Sequence, residues 1–383
     1  MWRRTVDRWS IYIVIFLYTI GVLLSFSSSP PLAENRELDV MLLIGKHAAF
    51  GLIALALMVV VSMLSVRNAR RLGCVVFGLA LLLLLLLPYF GTNFDKGAMR
   101  WYSLGAFGSL QPSEFIKPAL IMFSAWLIAD ARDGLGNITV FHLFNVNIGY
   151  FWFILFTGAV IASLVTQPDF GQAFLVFVGG CIVYFVSGAS LLPLYFFACL
   201  AVVVGYLAYQ HSEHFQSRID DYITHMIGDG SSRYEQLDIA TNAIINGGLL
   251  GMGPGNGTVK WHLADAHTDL IIAVAVEEYG LAGIGIIVML FVILFWLSIS
   301  RLKQTRDSFV RIAGVGLITT FSCQALINLL VTMRLIPAKG MTLPMISQGG
   351  SSLLAVGLLL GLLFALTRKP IEDTMPGLNG GHC

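Results

Sequence analysis

Asp269 follows Asp265, Ala266, His267 and Thr268, where a long polar stretch gives way to an apolar run. A carboxylate at such a boundary, beside a histidine, is suited to act as a general base. The same carboxylate would serve as a helix N-cap, where the helix dipole favours negative charge. Spacing alone leaves both roles open. Glu114 and Lys117 stand three residues apart and share one helix face within an otherwise apolar segment. They read either as a self-neutralising pair that eases membrane insertion or as the polar floor of a site for an anionic or polyhydroxyl ligand. Gln111 and Ser113 belong to the same run, QPSEFIKP, and Arg100-Trp101 lie just upstream in GAMRWYSLG. Asp169, in TQPDFGQA, sits in a very short turn where it could cap a helix or meet a ligand. Glu277-Glu278 lie deeper in the apolar run that Asp269 opens. If that run were one helix, Asp269 and Glu277, eight residues apart, would lie near one stripe. Two adjacent carboxylates there need a partner or a proton, and a structural pairing with Arg or Lys from another helix is favoured over catalysis. The last group is KGMTLPMISQGGSSLL, with Lys339, Gly349, Gly350 and Ser351. Lys339 could pair a phosphate, while the small residues suit a re-entrant turn and close helix packing.

Two patterns carry less. Gly251, Gly253, Gly255 and Gly257 alternate, but no strand precedes them and no Walker lysine follows, so they read as a flexible loop and not a nucleotide fingerprint. His211 and His214 lack the further ligands that a metal site needs.

These residues sit on a chain whose solvent is the bilayer. Of 383 residues, 57% are hydrophobic and only 12% charged, with a mean hydropathy of +0.80. A net charge of +1 offers no basic field for nucleic acid. Long apolar runs occur at 10–27, 48–66, 72–90, 115–128, 148–166, 171–186, 191–210, 270–300, 312–333 and 349–367, uncharged except for Lys117 in the fourth and Glu277-Glu278 in the eighth. Hydrocarbon leaves no backbone group unpaired, so these runs predict about ten transmembrane helices in a single all-α bundle over 10–369, with a short tail at 370–383. The first run lacks a small-residue cleavage site and reads as a retained helix. With the N-terminus cytoplasmic, 13 of the 23 Lys and Arg fall on the inner side, against 7 in short outer segments. Both termini are then expected inside. The one large loop, residues 211–268 between the seventh and eighth helices, faces outward into the periplasm. Within it, 237–250 has the pattern of a short amphipathic helix. Four of five cysteines (Cys74, Cys181, Cys199 and Cys323) fall in apolar runs as packing residues, with Cys383 near the end.

In this order, the motifs GAMRWYSLG, QPSEFIKP, TQPDFGQA, NGGLLGMGPGNGTVK, AHTDLIIAVAVEEYGLAG and KGMTLPMISQGGSSLL resemble the SEDS family of bacterial shape, elongation, division and sporulation proteins. The resemblance runs from about Trp9 to Lys369. The run from Pro337 to Pro344 looks most like the division branch. The resemblance implies a ten-helix inner-membrane peptidoglycan glycosyltransferase that polymerises lipid II at the septum. It implies a class B penicillin-binding protein, a division-type transpeptidase, as partner, alongside other division membrane proteins. The family's essential loop acid matches Asp269. Its cavity-lining Glu and Lys match Glu114 and Lys117, and its Arg-Trp pair matches Arg100 and Trp101. The candidate catalytic residue is then Asp269. Candidate substrate contacts are Arg100, Trp101, Gln111, Ser113, Glu114, Lys117, Asp169, His267, Lys339 and Ser351, with Glu277, Glu278, Gly349 and Gly350 in support. A divalent cation, Mg2+ or Mn2+, is a potential supplement with no ligands assigned. A lipid II flippase and a non-catalytic division scaffold are the rival expectations.

Overall fold

The computed structural model describes residues 5–35, 37–92, 99–105, 108–132, 139–141, 146–189, 235–263, 266–336 and 340–368, with isolated positions between 195 and 223. Among these, nine helices stand where the apolar runs predict them. They are α1 (Arg8–Asn35), α2 (Val40–Ser62), α3 (Val66–Phe90), α4 (Pro112–Arg132), α5 (Ile148–Thr166), α6 (Phe170–Val186), α8 (Ile271–Leu302), α9 (Ser308–Thr332) and α10 (Gly350–Leu366). The loop adds α7 (Glu235–Gly247), close to the expected amphipathic segment. The expected span 191–210 lies largely outside the described residues. Asp265, Lys339, His211, His214 and the tail 370–383 also lie outside them.

Six of the helices are long and apolar enough to cross a membrane by themselves. Helix α4 is not among them, because Glu114 and Lys117 lower its hydropathy; that buried pair needs the bundle around it. Two small antiparallel hairpins depart from the purely helical expectation: β1 (Tyr102–Ser103) with β2 (Ser109–Leu110), and β3 (Thr139–Phe141) with β4 (Val146–Asn147). They form in polar connections, outside the apolar runs that fixed the expectation.

The bundle centres on α10. It is apolar all round, and 14 of its 17 residues are buried, as a helix without a polar face requires. It lies against α2 at near-backbone contact: a Cβ on Gly357 would stand 2.5 Å from the Ala54 carbonyl oxygen, and one on Gly361 2.9 Å from that of Met58. Small residues four apart allow such an approach between membrane helices. Elsewhere a side chain repairs a break. Pro88 in α3 has no N–H for the Leu84 carbonyl, and the Gln167 amide donates to that oxygen at 2.9 Å.

Helix α8 does not run straight from Asp269. It begins at Ile271, with Leu270 at the cap position, and breaks at Gly280 (φ 69°, ψ −175°). Its 32 residues would span about 48 Å at 1.5 Å each, well beyond a hydrocarbon core of about 30 Å. Asp269 therefore lies outside the helix, and the single stripe with Glu277 is not formed.

Candidate functional site

A buried polar network occupies the bundle where α4, α6, α9 and α10 meet. Lys117 Nζ donates to Glu114 Oε2 at 2.8 Å and to Gln324 Oε1 at 2.9 Å. Glu114 Oε1 accepts from the Gln172 amide at 2.6 Å. Ser352 Oγ lies 3.5 Å from Glu114 Oε2 and 2.7 Å from Thr342 Oγ1. Glu114 and Lys117 are 3% and 4% exposed, so their attraction acts in a low-dielectric setting. Such a pair holds only because further hydrogen bonds satisfy its remaining atoms. Ser351 is half-buried; its neighbour Ser352 is the serine that reaches the network. Gly349 is the cap residue of α10. Gly350 lets that helix start against the Phe50 ring, 3.2 Å from where a Cβ would be.

Beside this floor stands Asp169, 6% exposed, at the cap position of α6. Its Oδ2 lies 3.3 Å from the Gln111 amide and 3.4 Å from Ser113 Oγ. Burial pushes its carboxyl up from the ordinary value of 3.8, and the Arg100 guanidinium opposes that shift. Arg100 itself clamps the turn, donating to the carbonyls of Gln167 at 3.3 Å and Pro168 at 2.5 Å. Trp101, half-buried, anchors the neighbouring chain through its carbonyl, which accepts from Thr92 N at 2.9 Å. Arg100, Gln111, Ser113 and Asp169 thus form one cluster adjoining the Glu114–Lys117 pair. Each group of motifs comes from a different stretch of sequence.

Asp269 lies on a turn held by the segment that precedes α10. Three successive carbonyls are taken in order: that of His267 by Gln348 N at 3.0 Å, of Thr268 by Ser347 Oγ at 2.6 Å, and of Asp269 by the Asn328 amide at 2.8 Å. The half-buried carboxylate passes close to the α9–α10 connection, and a Cβ on Gly340 would stand 3.3 Å from Asp269 Oδ2. A preorganised acid on a pinned main chain is what proton abstraction needs.

Glu277 and Glu278, 0% and 1% exposed, serve a separate structure. Glu277 Oε1 accepts from Thr258 N at 2.8 Å and Val259 N at 2.9 Å. Glu278 Oε1 pairs with Lys260 Nζ at 2.7 Å and accepts from Ser27 Oγ. The expected cation is present, but it comes from a short 3-10 turn of the loop, Val259–His262, and not from another membrane helix. The glycine-rich run is likewise not a free loop. Met252 N and Gly253 N donate to the carbonyls of Glu277 and Glu278 at 2.9 and 3.0 Å. Leu281 N and Ala282 N donate back to Gly248 and Leu249 at 3.0 and 3.1 Å. The break at Gly280 exposes helix backbone groups, and the glycine-rich run pairs with them.

The family model for cell cycle proteins of the FtsW, RodA and SpoVE group matches residues 8–370. The chain belongs to that family. It is 36% identical to the probable peptidoglycan glycosyltransferase FtsW of Caulobacter vibrioides, over 96% of this chain and 91% of that one. It is 32% identical to the stage V sporulation protein E of Bacillus subtilis, over 96% and 98%. In fold it is similar to a chain of a peptidoglycan synthase complex, with a TM-score of 0.73, 24% identity, and 94% and 97% of the two chains covered. The rod shape determining protein RodA of Thermus thermophilus matches with a TM-score of 0.66, 23% identity, and 94% and 96% covered.

Set in the fold of an FtsW/RodA/SpoVE-family protein, several residues matter that a search for charge passes over. Gln172, Gln324 and Asn328 are buried amides, and Ser347 a buried hydroxyl. The signal for two of them was present: Gln324 and Asn328 stand four apart within the apolar run of α9, on one face. A polar side chain at membrane depth is costly unless paired, whether or not it is ionisable.

Proposed function

We propose that this protein is the septal member of its family, a peptidoglycan glycosyltransferase that polymerises lipid II during division. The reading rests above all on one observation: the Asp269 turn is tied through α9 to the buried Glu114–Lys117 pair. The similarity to FtsW across nearly the whole chain supports it. An α-linked lipid donor giving a β-linked strand needs one inverting displacement, hence one base and a stabilised leaving pyrophosphate. Asp269 would take the proton from the acceptor's 4-hydroxyl. Lys117, Arg100 and Lys339 would offset pyrophosphate charge, with Glu114 orienting Lys117. Trp101, Gln111, Ser113, Asp169, His267 and Ser351 would line the sugar and peptide path.

Among the described residues no cluster of three or more His, Cys, Asp or Glu could hold a metal ion. These side chains give no complete protein cage for Mg2+ or Mn2+. The partner we propose is a division-type class B penicillin-binding protein, with other division membrane proteins. The site is the septum of the inner membrane, with both termini cytoplasmic.

The deciding experiment is polymerisation of purified lipid II by the protein co-purified with its transpeptidase. Asp269→Ala is expected to abolish glycan strands while the protein still assembles with its partner. Strand yield near wild type would overturn the assignment of the base. Lipid II translocation in vesicles, with no strands formed by active wild-type preparations, would favour a flippase.

A further inference from the structure

Helix α9 presents two amides to the segment that precedes α10. Gln324 bridges: its Oε1 accepts from Lys117 Nζ at 2.9 Å, and its Nε2 donates to the Thr342 carbonyl at 3.1 Å. One turn on, about 6 Å along the axis, Asn328 Nδ2 donates to the carbonyls of Met341 and Asp269. Asn328 is 1% exposed. Both of its neighbours are acceptors, so the amide must present its NH2 group, and the side-chain orientation is fixed by chemistry. Ser347 completes the clamp: it accepts from Leu343 N at 2.8 Å and donates to the Thr268 carbonyl at 2.6 Å.

We infer that Asn328 is a positioning residue for the glycosyl transfer, holding the Asp269 main chain in fixed register with the segment 341–349 and, through Gln324, with Lys117. The inference rests on the reading of Asp269 as base. The Asn328 amide donates to the Asp269 carbonyl, and the carbonyls of His267 and Thr268 are tied to the segment before α10. Loss of the Asn328 amide removes the donor shared by the Met341 and Asp269 carbonyls and frees the turn to shift. A displacement of about 1 Å at a reacting group can cost about a hundredfold in rate. The floor pair and the base come from elements far apart in sequence, and the two amides of α9 make them one rigid body.

The test uses the full chain with its transpeptidase and lipid II as the probe. Asn328→Asp keeps the shape but retains at most one donor in place of two, and Asn328→Ala retains none. Both are expected to lower kcat at least about tenfold while KM for lipid II stays within about twofold, because alignment and not binding is lost. Hydrogen exchange supplies a readout apart from activity. Amides in 266–271 and 341–349 should lose protection in both variants, while those of α2 and α10 keep it. Wild-type kcat in Asn328→Asp would overturn the inference, by showing that shape alone matters. Uniform loss of protection across the bundle would overturn it in favour of a general packing role. If Asn328→Ala fails to fold, Ser347→Ala carries the same expectation for kcat and for protection at 266–271. Asp269→Ala run in parallel separates the two readings. Strands from that variant would refute the base, while unchanged exchange in Asn328→Asp would refute the clamp even with the base intact.

Discussion

At the scale of the residue, the buried pair Glu114–Lys117 sets the terms. Removing one partner of such a pair leaves an uncompensated charge and costs about 3–5 kcal/mol, whereas replacing both is often neutral. Lys117→Met is therefore expected to lower the melting temperature of the detergent-solubilised protein sharply. Adding Glu114→Gln should restore most of the loss, since the Gln172 and Ser352 partners suit an amide as well. Polymerisation should stay low in the double variant, because the cation proposed to offset pyrophosphate charge is still missing. Activity recovering together with stability would make the pair purely structural. The ionisable members of the site were legible in the sequence because charge in an apolar run is conspicuous. Gln324 and Asn328 carried a weaker signal, two amides four apart in an apolar run, and Ser347 carried none; the importance of all three shows only when their partners, main-chain groups of other elements among them, are in place. Ser352 stood beside the candidate Ser351, and only the start of α10 decides which of the two hydroxyls faces Glu114.

At the scale of the element, most helices follow from their apolar runs to within a few residues, as in α5, whose bounds coincide with the run 148–166. Helix α8 is the exception. The run is interrupted in hydropathy only by Glu277-Glu278, yet the helix breaks at Gly280, where the glycine-rich run docks. Pairing of main chain with main chain leaves no trace in side-chain pattern, so neither the break nor the docking could be read beforehand. Gly280 lies at positive φ, and a Cβ there would overlap the Leu249 carbonyl. Gly280→Ala is expected to destabilise the protein by more than the roughly 1 kcal/mol of strain alone, since the docked segment must also move. Gly285→Ala in the same helix is the control. No atom lies within 4 Å of its Cβ position, and the change should be neutral or slightly stabilising. Thermal melts of the two side by side check the contrast. Equal melting temperatures would mean that the docked run contributes nothing to the fold. The Lys260–Glu278 bond ties the same run to α8 and α1, so Gly280→Ala should also reduce polymerisation by loosening the path to Asp269.

At the scale of the whole molecule, the polar groups gather toward one end of the bundle and the basic connections toward the other. Arg301, Lys303 and Arg306 flank the α8–α9 turn, and Arg368 follows α10, its guanidinium donating to the Leu64 carbonyl at 2.8 Å. The Asp269 turn and the Lys260 latch lie at the opposite end of α8 from that basic turn. An excess of Lys and Arg in short loops keeps those loops in the cytoplasm, so the site should open outward, where a lipid-linked disaccharide is consumed. Two exposed positions test this without touching the chemistry: Trp261 beside the latch, 46% exposed, and Gln304 in the α8–α9 turn. In intact spheroplasts, a membrane-impermeant maleimide should label Trp261→Cys at once and Gln304→Cys only after permeabilisation, scored against the parent protein with its native cysteines. The reverse pattern would place the base on the side where the finished strand cannot be used, and the proposed reaction would then have to give way to an inward-facing one.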